Sequence, residues 1–251
     1  MSMTLDSPDR GMSAQPEPKP AHRVVGIIGG MGPEATVDLM RRIIAKTPAR
    51  DDADHIHLIV ESNPKIPSRI AHLIERSGPD PTPELIRIAG NLQRAGAHAL
   101  AIPCNTAHAY ADSIRRAVAI PLLDMVSLTV EQIAASGRAS RVGLLASTAV
   151  HNTALYATAF SACGIATVLP ARQEEVMALI RGVKRGDTGA QAQAALGRIA
   201  LDMADRADVL LIGCSELSVI AAGITVPFVD SVDVLAQAVV SFATEQTVAR
   251  W

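Results

Sequence analysis

The sequence has few aromatic residues, few cysteines and no charge excess of either sign. Phe, Tyr and Trp make up 2% of the 251 residues, which leaves little material for base-stacking platforms. Lys and Arg number 23 against 25 Asp and Glu, a formal charge of −2, and this excludes a broad basic face for nucleic acid. No apolar run approaches the ~20 residues of a membrane-spanning helix. Three cysteines, Cys104, Cys163 and Cys214, cannot make a disulfide framework and leave an odd thiol. The opening 22 residues, MSMTLDSPDRGMSAQPEPKPAH, lack the apolar stretch of a signal peptide. They are rich in Pro, Ser and Asp and read as a flexible tail over 1–22. A cytoplasmic location is expected, where cysteine is free to act as nucleophile, base or ligand.

What is present is core material. Hydrophobic residues make up 49% and charged residues 19%, so general disorder is excluded, and the length fits one large or two smaller domains. From residue 24 short β-branched runs alternate with helical patterns. VVGIIG (24–29), IHLIVE (56–61), HALAIP (98–103) and IPLLD (120–124) read as strands. Helices are expected near 33–46, 82–95 and 106–118, with SNPKIPSR as a loop. The second half repeats the plan, with strands at 142–146, 165–169, 209–214 and 226–230 and helices near 150–162, 173–185, 189–205 and 232–246. Apolar strands alternating with helices indicate parallel sheets covered on both faces. The expected fold is α/β, with two similar domains, each around a parallel four-stranded sheet, over 23–125 and 126–230. A C-terminal helix, 231–247, is expected to pack back on the first.

Two segments look alike. RAGAHALAIPCNTAH (94–108) and RADVLLIGCSEL (206–217) each run from an apolar strand into Cys, a polar residue and the start of a helix. Each then reaches a Pro and an Asp, in AIPLLD (119–124) and TVPFVD (225–230). The cysteines are 214 − 104 = 110 residues apart and the aspartates 230 − 124 = 106. This argues for two units of one topology related by pseudo-symmetry. Ligands of open α/β sheets bind beyond the carboxyl ends of the strands, where Cys104 and Cys214 both fall. Two thiols flanking one cleft can invert a carbon, one removing a proton and the other delivering one to the opposite face. Cys163, in SACGIAT, reads as structural.

Other uses of these residues stay open at this level. Cys104 and His108 are four apart and can share a helix face, as metal ligands do, but neither CxxC nor HExxH is present. A redox pair between Cys104 and Cys214 also lacks CxxC. A Cys–His hydrolase is conceivable, though no motif picks out one histidine; His98 reads as structural. Gly30–Ala35 fits the dinucleotide fingerprint G-x-G-x-x-A, with Glu61 as the acidic partner. Pro33 removes an amide from that turn, and the reading leaves the duplicated cysteines unexplained. A Met31–Gly32 turn that brings backbone close to a small carboxylate fits as well.

GIIGGMGPEAT (26–36), NPKIPSR (63–69), PCNTAH (103–108), LLAST (144–148), RGVKRG (181–186) and GCSEL (213–217) resemble the aspartate/glutamate racemase superfamily, and within it the aspartate racemase branch. The resemblance covers about residues 24–245 and implies a cofactor-independent isomerase with two α/β domains and an active site between them. It implies Cys104 and Cys214 as the acid/base pair, with Arg69 and Lys184 near the substrate's side-chain carboxylate. An acidic amino acid carries that second carboxylate, which Arg binds bidentately and Lys as a point charge. Asn105, Thr106, Ser147, Thr148, Ser215 and Glu216 are further candidates for holding the α-carboxylate or α-ammonium, helix capping being their ordinary use. Ser215 stands where many members carry Thr. The superfamily also includes broad-specificity and hydantoin racemases, and a silent binding protein would keep the same cleft. No metal, nucleic acid or membrane is expected, and a homodimer is expected from the family and from general frequency.

Overall fold

Val25–Gly29 (β1) is buried at every position, as a strand covered on both faces must be. The computed structural model describes residues 23–244, so the expected tail over 1–22 and the end of the expected 231–247 helix lie outside the described residues. β1 pairs in parallel with Leu58–Ser62 (β2) and Ala99–Ala101 (β3), and β3 with Leu122–Leu123 (β4), giving the order β2-β1-β3-β4. The second sheet holds Arg141–Leu145 (β5), Ala166–Val168 (β6), Val209–Ile212 (β7) and Phe228–Asp230 (β8) in the order β6-β5-β7-β8. The two orders are the same, and all six pairings are parallel.

The likeness of the halves extends to packing. A Cβ on Gly26 of β1 would lie 3.0–3.1 Å from Ala97, Leu100 and Leu92. One on Gly143 of β5 would meet Leu210, Ala207 and Met203 at 2.5–3.1 Å. In both halves a strand glycine lets the neighbouring strand and the helix that leads into that strand close onto it.

The helices of the first half are Pro33–Lys46 (α1), Thr82–Arg94 (α2) and Ala111–Ala117 (α3), and Met125–Ala135 (α4) leads into the second. The second half carries Thr148–Asn152 (α5), Leu155–Ala162 (α6), Gln173–Lys184 (α7), Ala190–Ala204 (α8), Ser215–Val219 (α9) and Ser231–Thr244 (α10). α2 and α3 cover one face of the first sheet through Leu85, Ile88, Leu92 and Ile114. α1 and α10 cover the other, where Leu39 and Ile43 meet Val232, Leu235 and Val239 over Val25 and Ile27. α7, α8 and α9 cover one face of the second sheet, and α4 and α6 the other. The exchange is reciprocal: the helix after β4 packs on the second sheet, and the helix after β8 packs on the first. Truncating a fully buried Leu such as Leu235 is worth ~2–5 kcal/mol.

The sequence reading differs from the structure in four helical segments and two strands. It passes over α4, whose start is fixed by Asp124 accepting from Val126 and Ser127 N–H. It expects one helix near 106–118, but Asn105–Tyr110 is a 3-10 helix that leads into α3. It expects one helix near 150–162, which breaks into α5 and α6 at Ala154, a non-glycine residue at φ 51°. After NPKIPSR it misses a π-helical turn, Ala71–Glu75. Two strands are less apolar than expected: β2 is only half-buried, and Phe228 of β8 is exposed.

Candidate functional site

The carboxyl ends of β1, β3, β5 and β7, the loop after β2 and the end of α7 converge on one cavity of about 30 Å³. Its walls are Met31, Ser68, Arg69, Ile70, Cys104, Thr106, Ser147, Ile180, Lys184, Cys214 and Glu216. Both halves contribute, and each supplies one cysteine and one cation. Gly30 fixes the approach of the loop after β2. It sits at φ +90°, and a Cβ there would stand 2.4 Å from the Asn63 backbone, so only glycine admits the segment that carries Arg69.

Cys104 is buried and precedes the 3-10 helix. His108, four residues on, places Nδ1 3.0 Å from the Cys104 carbonyl, while Nε2 accepts from Met125 N–H at 3.1 Å. The imidazole is therefore the Nδ1–H tautomer, and burial holds its pKa below the ordinary value. Both ring nitrogens are committed to the backbone, which removes His108 as a metal ligand or hydrolase base. Asn105 is buried and accepts from the Tyr156 hydroxyl at 2.6 Å, leaving its Nδ2 buried without a partner. Thr106 Oγ1 and Ser147 Oγ face each other across the halves at 3.5 Å.

Cys214 is the counterpart at the end of β7. Its Sγ donates to Glu216 Oε2 at 3.2 Å, and Glu216 Oε1 lies 3.6 Å from Lys184 Nζ. Burial raises the thiol pKa well above the ordinary value, with the Glu216 carboxylate pushing the same way and Lys184 opposing. Ser218, four residues after Cys214, faces the Cys214 carbonyl at 3.5 Å and donates to Asp230 Oδ1 at 2.7 Å. Asp230 also accepts from Val232 N–H at the start of α10 and pairs with Arg42 of α1 at 2.8 Å. Cys163 is exposed.

Arg69 donates to the carbonyls of Ile66 and Pro67 at 3.3 and 3.0 Å, and its Nε is buried without a partner. Of the residues singled out in the sequence, Met31, Arg69, Cys104, Thr106, Ser147, Lys184, Cys214 and Glu216 line the cavity. Gly32 lies behind the wall, where a Cβ would sit 3.9 Å from Glu216 Oε1. Thr148 is turned to Gln173 Nε2 at 3.3 Å, and Ser215 is buried. Ser147 also caps α5. Glu61 accepts from Arg87 and Asn91, so the acidic partner of the dinucleotide fingerprint is already engaged. Ser68, Ile70 and Ile180 were not anticipated. Ile180 stands one turn before Lys184 on α7, so the helical period was the available signal.

The whole arrangement has relatives. A family model described as Asp/Glu/hydantoin racemase matches residues 28–239, and the chain belongs to that family of isomerases. An aspartate racemase of Picrophilus torridus superposes with a TM-score of 0.81 at 31% identity, covering 88% of this chain and 94% of that one. A broad-specificity amino-acid racemase of Bacillus subtilis is 26% identical over 225 residues, which is 87% of this chain and 97% of that protein. A glutamate racemase of Mycobacterium avium is 29% identical over 187 residues, 67% of this chain and 65% of that protein. Among the described residues no helix is long and apolar enough to cross a membrane.

Proposed function

We propose that the protein interconverts the enantiomers of an acidic amino acid, aspartate first, without a cofactor, through Cys104 and Cys214. The observation that carries this is the meeting of two cysteines and two cations, one of each from either half, in one cavity. One sulfur takes the α-proton while the other delivers a proton to the opposite face, so the proton count of the pair is unchanged. Arg69 and Lys184 answer the side-chain carboxylate, and fixed charge in a closed site stabilises the carbanion-like transition state. Thr106, Ser147 and Ser215 are assigned to the α-carboxylate and α-ammonium, with Asn105 contributing the Nδ2 donor that has no other partner. Met31 forms part of the wall, and Gly32 beside it lies close to Glu216. The same reading carries a cytoplasmic homodimer.

A broad-specificity racemase is the second reading, favoured by the Bacillus subtilis relative and by Lys184 already facing Glu216. Deuterium incorporation at the α-carbon in D2O, without added cofactor, tests both. Aspartate exchanging far faster than alanine or serine supports the acidic assignment. Comparable rates on all three favour the broad reading, and no exchange on any amino acid sinks the racemase.

A further inference from the structure

The two cysteines do not have the same neighbours. Glu216 stands two residues after Cys214, and its carboxylate bridges the thiol at 3.2 Å and the Lys184 ammonium at 3.6 Å. Two residues after Cys104 stands Thr106, a neutral hydroxyl facing Ser147 at 3.5 Å. Among the described residues no side chain hydrogen-bonds the Cys104 sulfur. The groups that face Cys214 are Glu216 from its own helix, Lys184 from α7 and, across the cavity, Arg69 and Cys104. Glu216 is the one carboxylate in that wall, and it is itself buried.

We propose that Glu216 is the positioning residue that makes the cysteines unequal: it holds the proton on Cys214, so the resting enzyme presents Cys214 as acid and Cys104 as base. This inference rests on the two-cysteine reading above. An anion in contact with a thiol disfavours the thiolate, and desolvation strengthens the effect. The enantiomer whose α-proton faces Cys104 meets the enzyme ready to react. The Cys104 sulfur gains that proton as the Cys214 S–H bond breaks and a new C–H bond forms. For the other enantiomer Cys214 must first become the base. Glu216 is placed to accept: the Cys214 S–H bond breaks as an O–H bond forms on Oε2, and Cys104 takes a proton from solvent water, so that the Cys214 thiolate faces the α-carbon with Cys104 as the acid opposite. Lys184 works against Glu216, since a cation on the carboxylate reduces its hold on the thiol.

The test reads each sulfur separately and needs no substrate. The full-length enzyme is alkylated with iodoacetamide across a pH series, and Cys104, Cys214 and the exposed Cys163 are quantified by peptide mass mapping. In wild type Cys214 reacts only at higher pH than Cys163. In Glu216→Gln the Cys214 profile moves down by about one pH unit or more, while Cys163 stays where it was. In Lys184→Met the Cys214 profile moves up. This second variant alters a partly exposed side chain, so it serves even if Glu216→Gln folds poorly. A Cys214 profile unmoved in a folded Glu216→Gln, or moved down in Lys184→Met, overturns the inference. Kinetics give an independent readout. A racemase has an equilibrium constant of unity, so kcat/KM for the two enantiomers stays equal in any variant. Glu216→Gln therefore changes kcat and KM for the two enantiomers unequally, with their ratios locked together, and equal changes for both count against the inference. Wild type failing to exchange the α-proton defeats the racemase reading alone. Exchange with an unmoved Cys214 profile defeats this inference alone.

Discussion

The two halves share a scaffold and differ where chemistry would be done. Each cysteine sits past the third strand of its own sheet, and each has a polar side chain four residues later that reaches back to its carbonyl. His108 does this in the first half and continues to Met125 N–H. Ser218 does it in the second and continues to Asp230. In both, the link ends beside an aspartate that closes the fourth strand and starts the exchanged helix, Asp124 for α4 and Asp230 for α10. The repeated aspartates are thus part of the frame and not of the cavity. Asp124 pairs with Arg115 within its own half, whereas Asp230 pairs with Arg42 of the other half. The difference teaches that the shared topology fixes the positions of the sulfurs, while the residue two places on, Thr106 or Glu216, sets each one's surroundings.

The largest way to break the comparison is to remove either sulfur. Cys104→Ala and Cys214→Ala are each expected to abolish racemisation in both directions, because inversion needs both faces; the loss of one acid/base group is worth about 10²–10⁴-fold or more. Cys163→Ala is expected to keep most activity, since that residue is exposed and does not line the cavity. Polarimetry from both enantiomers checks this, and racemisation surviving in either of the first two variants removes the two-base mechanism. The next largest effect contrasts the cations. Arg69→Leu is expected to lower activity on aspartate by roughly 10- to 150-fold, the equivalent of ~1.5–3 kcal/mol for a charged hydrogen-bonded contact. Lys184→Leu is expected to cost less, since its contact is less directional and is shared with Glu216. Full aspartate activity in both variants would reject the acidic substrate.

Much of the frame was legible because it rests on local pattern. Buried parallel strands are apolar throughout, and those runs marked both sheets within a few residues; the Cys-polar repeat marked both strand ends that enter the cavity. What stayed hidden depends on contacts distant in sequence. In the 3-10 turn after Cys104, His108 is held between the Cys104 carbonyl and Met125 N–H, the latter seventeen residues from it. The spacing of Cys104 and His108 suggested a shared ligand face, yet the histidine bonds backbone on both sides. Aligning the two halves would have matched it to Ser218 and shown a structural link. Tyr156 crosses from α6 to Asn105, and nothing in its local sequence announces that.

A smaller effect sharpens the comparison of the two links in folding stability. His108→Ala leaves Met125 N–H buried without an acceptor and opens a void, an expected loss of about 2–4 kcal/mol. Ser218→Ala removes one donor from Asp230, which keeps Val232 N–H and Arg42, so about 1 kcal/mol is expected. Urea unfolding of both variants measures the contrast, and a larger loss at Ser218 would contradict it.

The smallest effect is the pH dependence that the imidazole of the first link has and the serine hydroxyl of the second lacks. A proton added to His108 lands on Nε2, which faces the Met125 N–H it now accepts from. Burial therefore holds the folded pKa below the ordinary 6.5. The unfolded chain takes up this proton as pH falls through about 6.5 while the folded chain resists, so the unfolded state binds more protons. The contribution is fully present above the unfolded value and is lost as pH falls towards the folded one, by at most about 1.4 kcal/mol per pH unit for one group. His151, also lowered by burial, acts with the same sign, whereas the buried Asp230, with its pKa raised by burial, acts with the opposite sign nearer the carboxylate range. The difference between wild type and His108→Gln isolates the histidine. Wild-type unfolding free energy is expected to fall from about pH 7.5 to about pH 5.5 more steeply than that of His108→Gln. Ser218→Ala leaves the imidazole in place but removes a hydrogen bond that holds the Asp230 carboxyl down, so its opposite-signed contribution grows and the slope is expected to flatten. Equal slopes in wild type and His108→Gln would show that the imidazole is not held neutral between the two backbone groups.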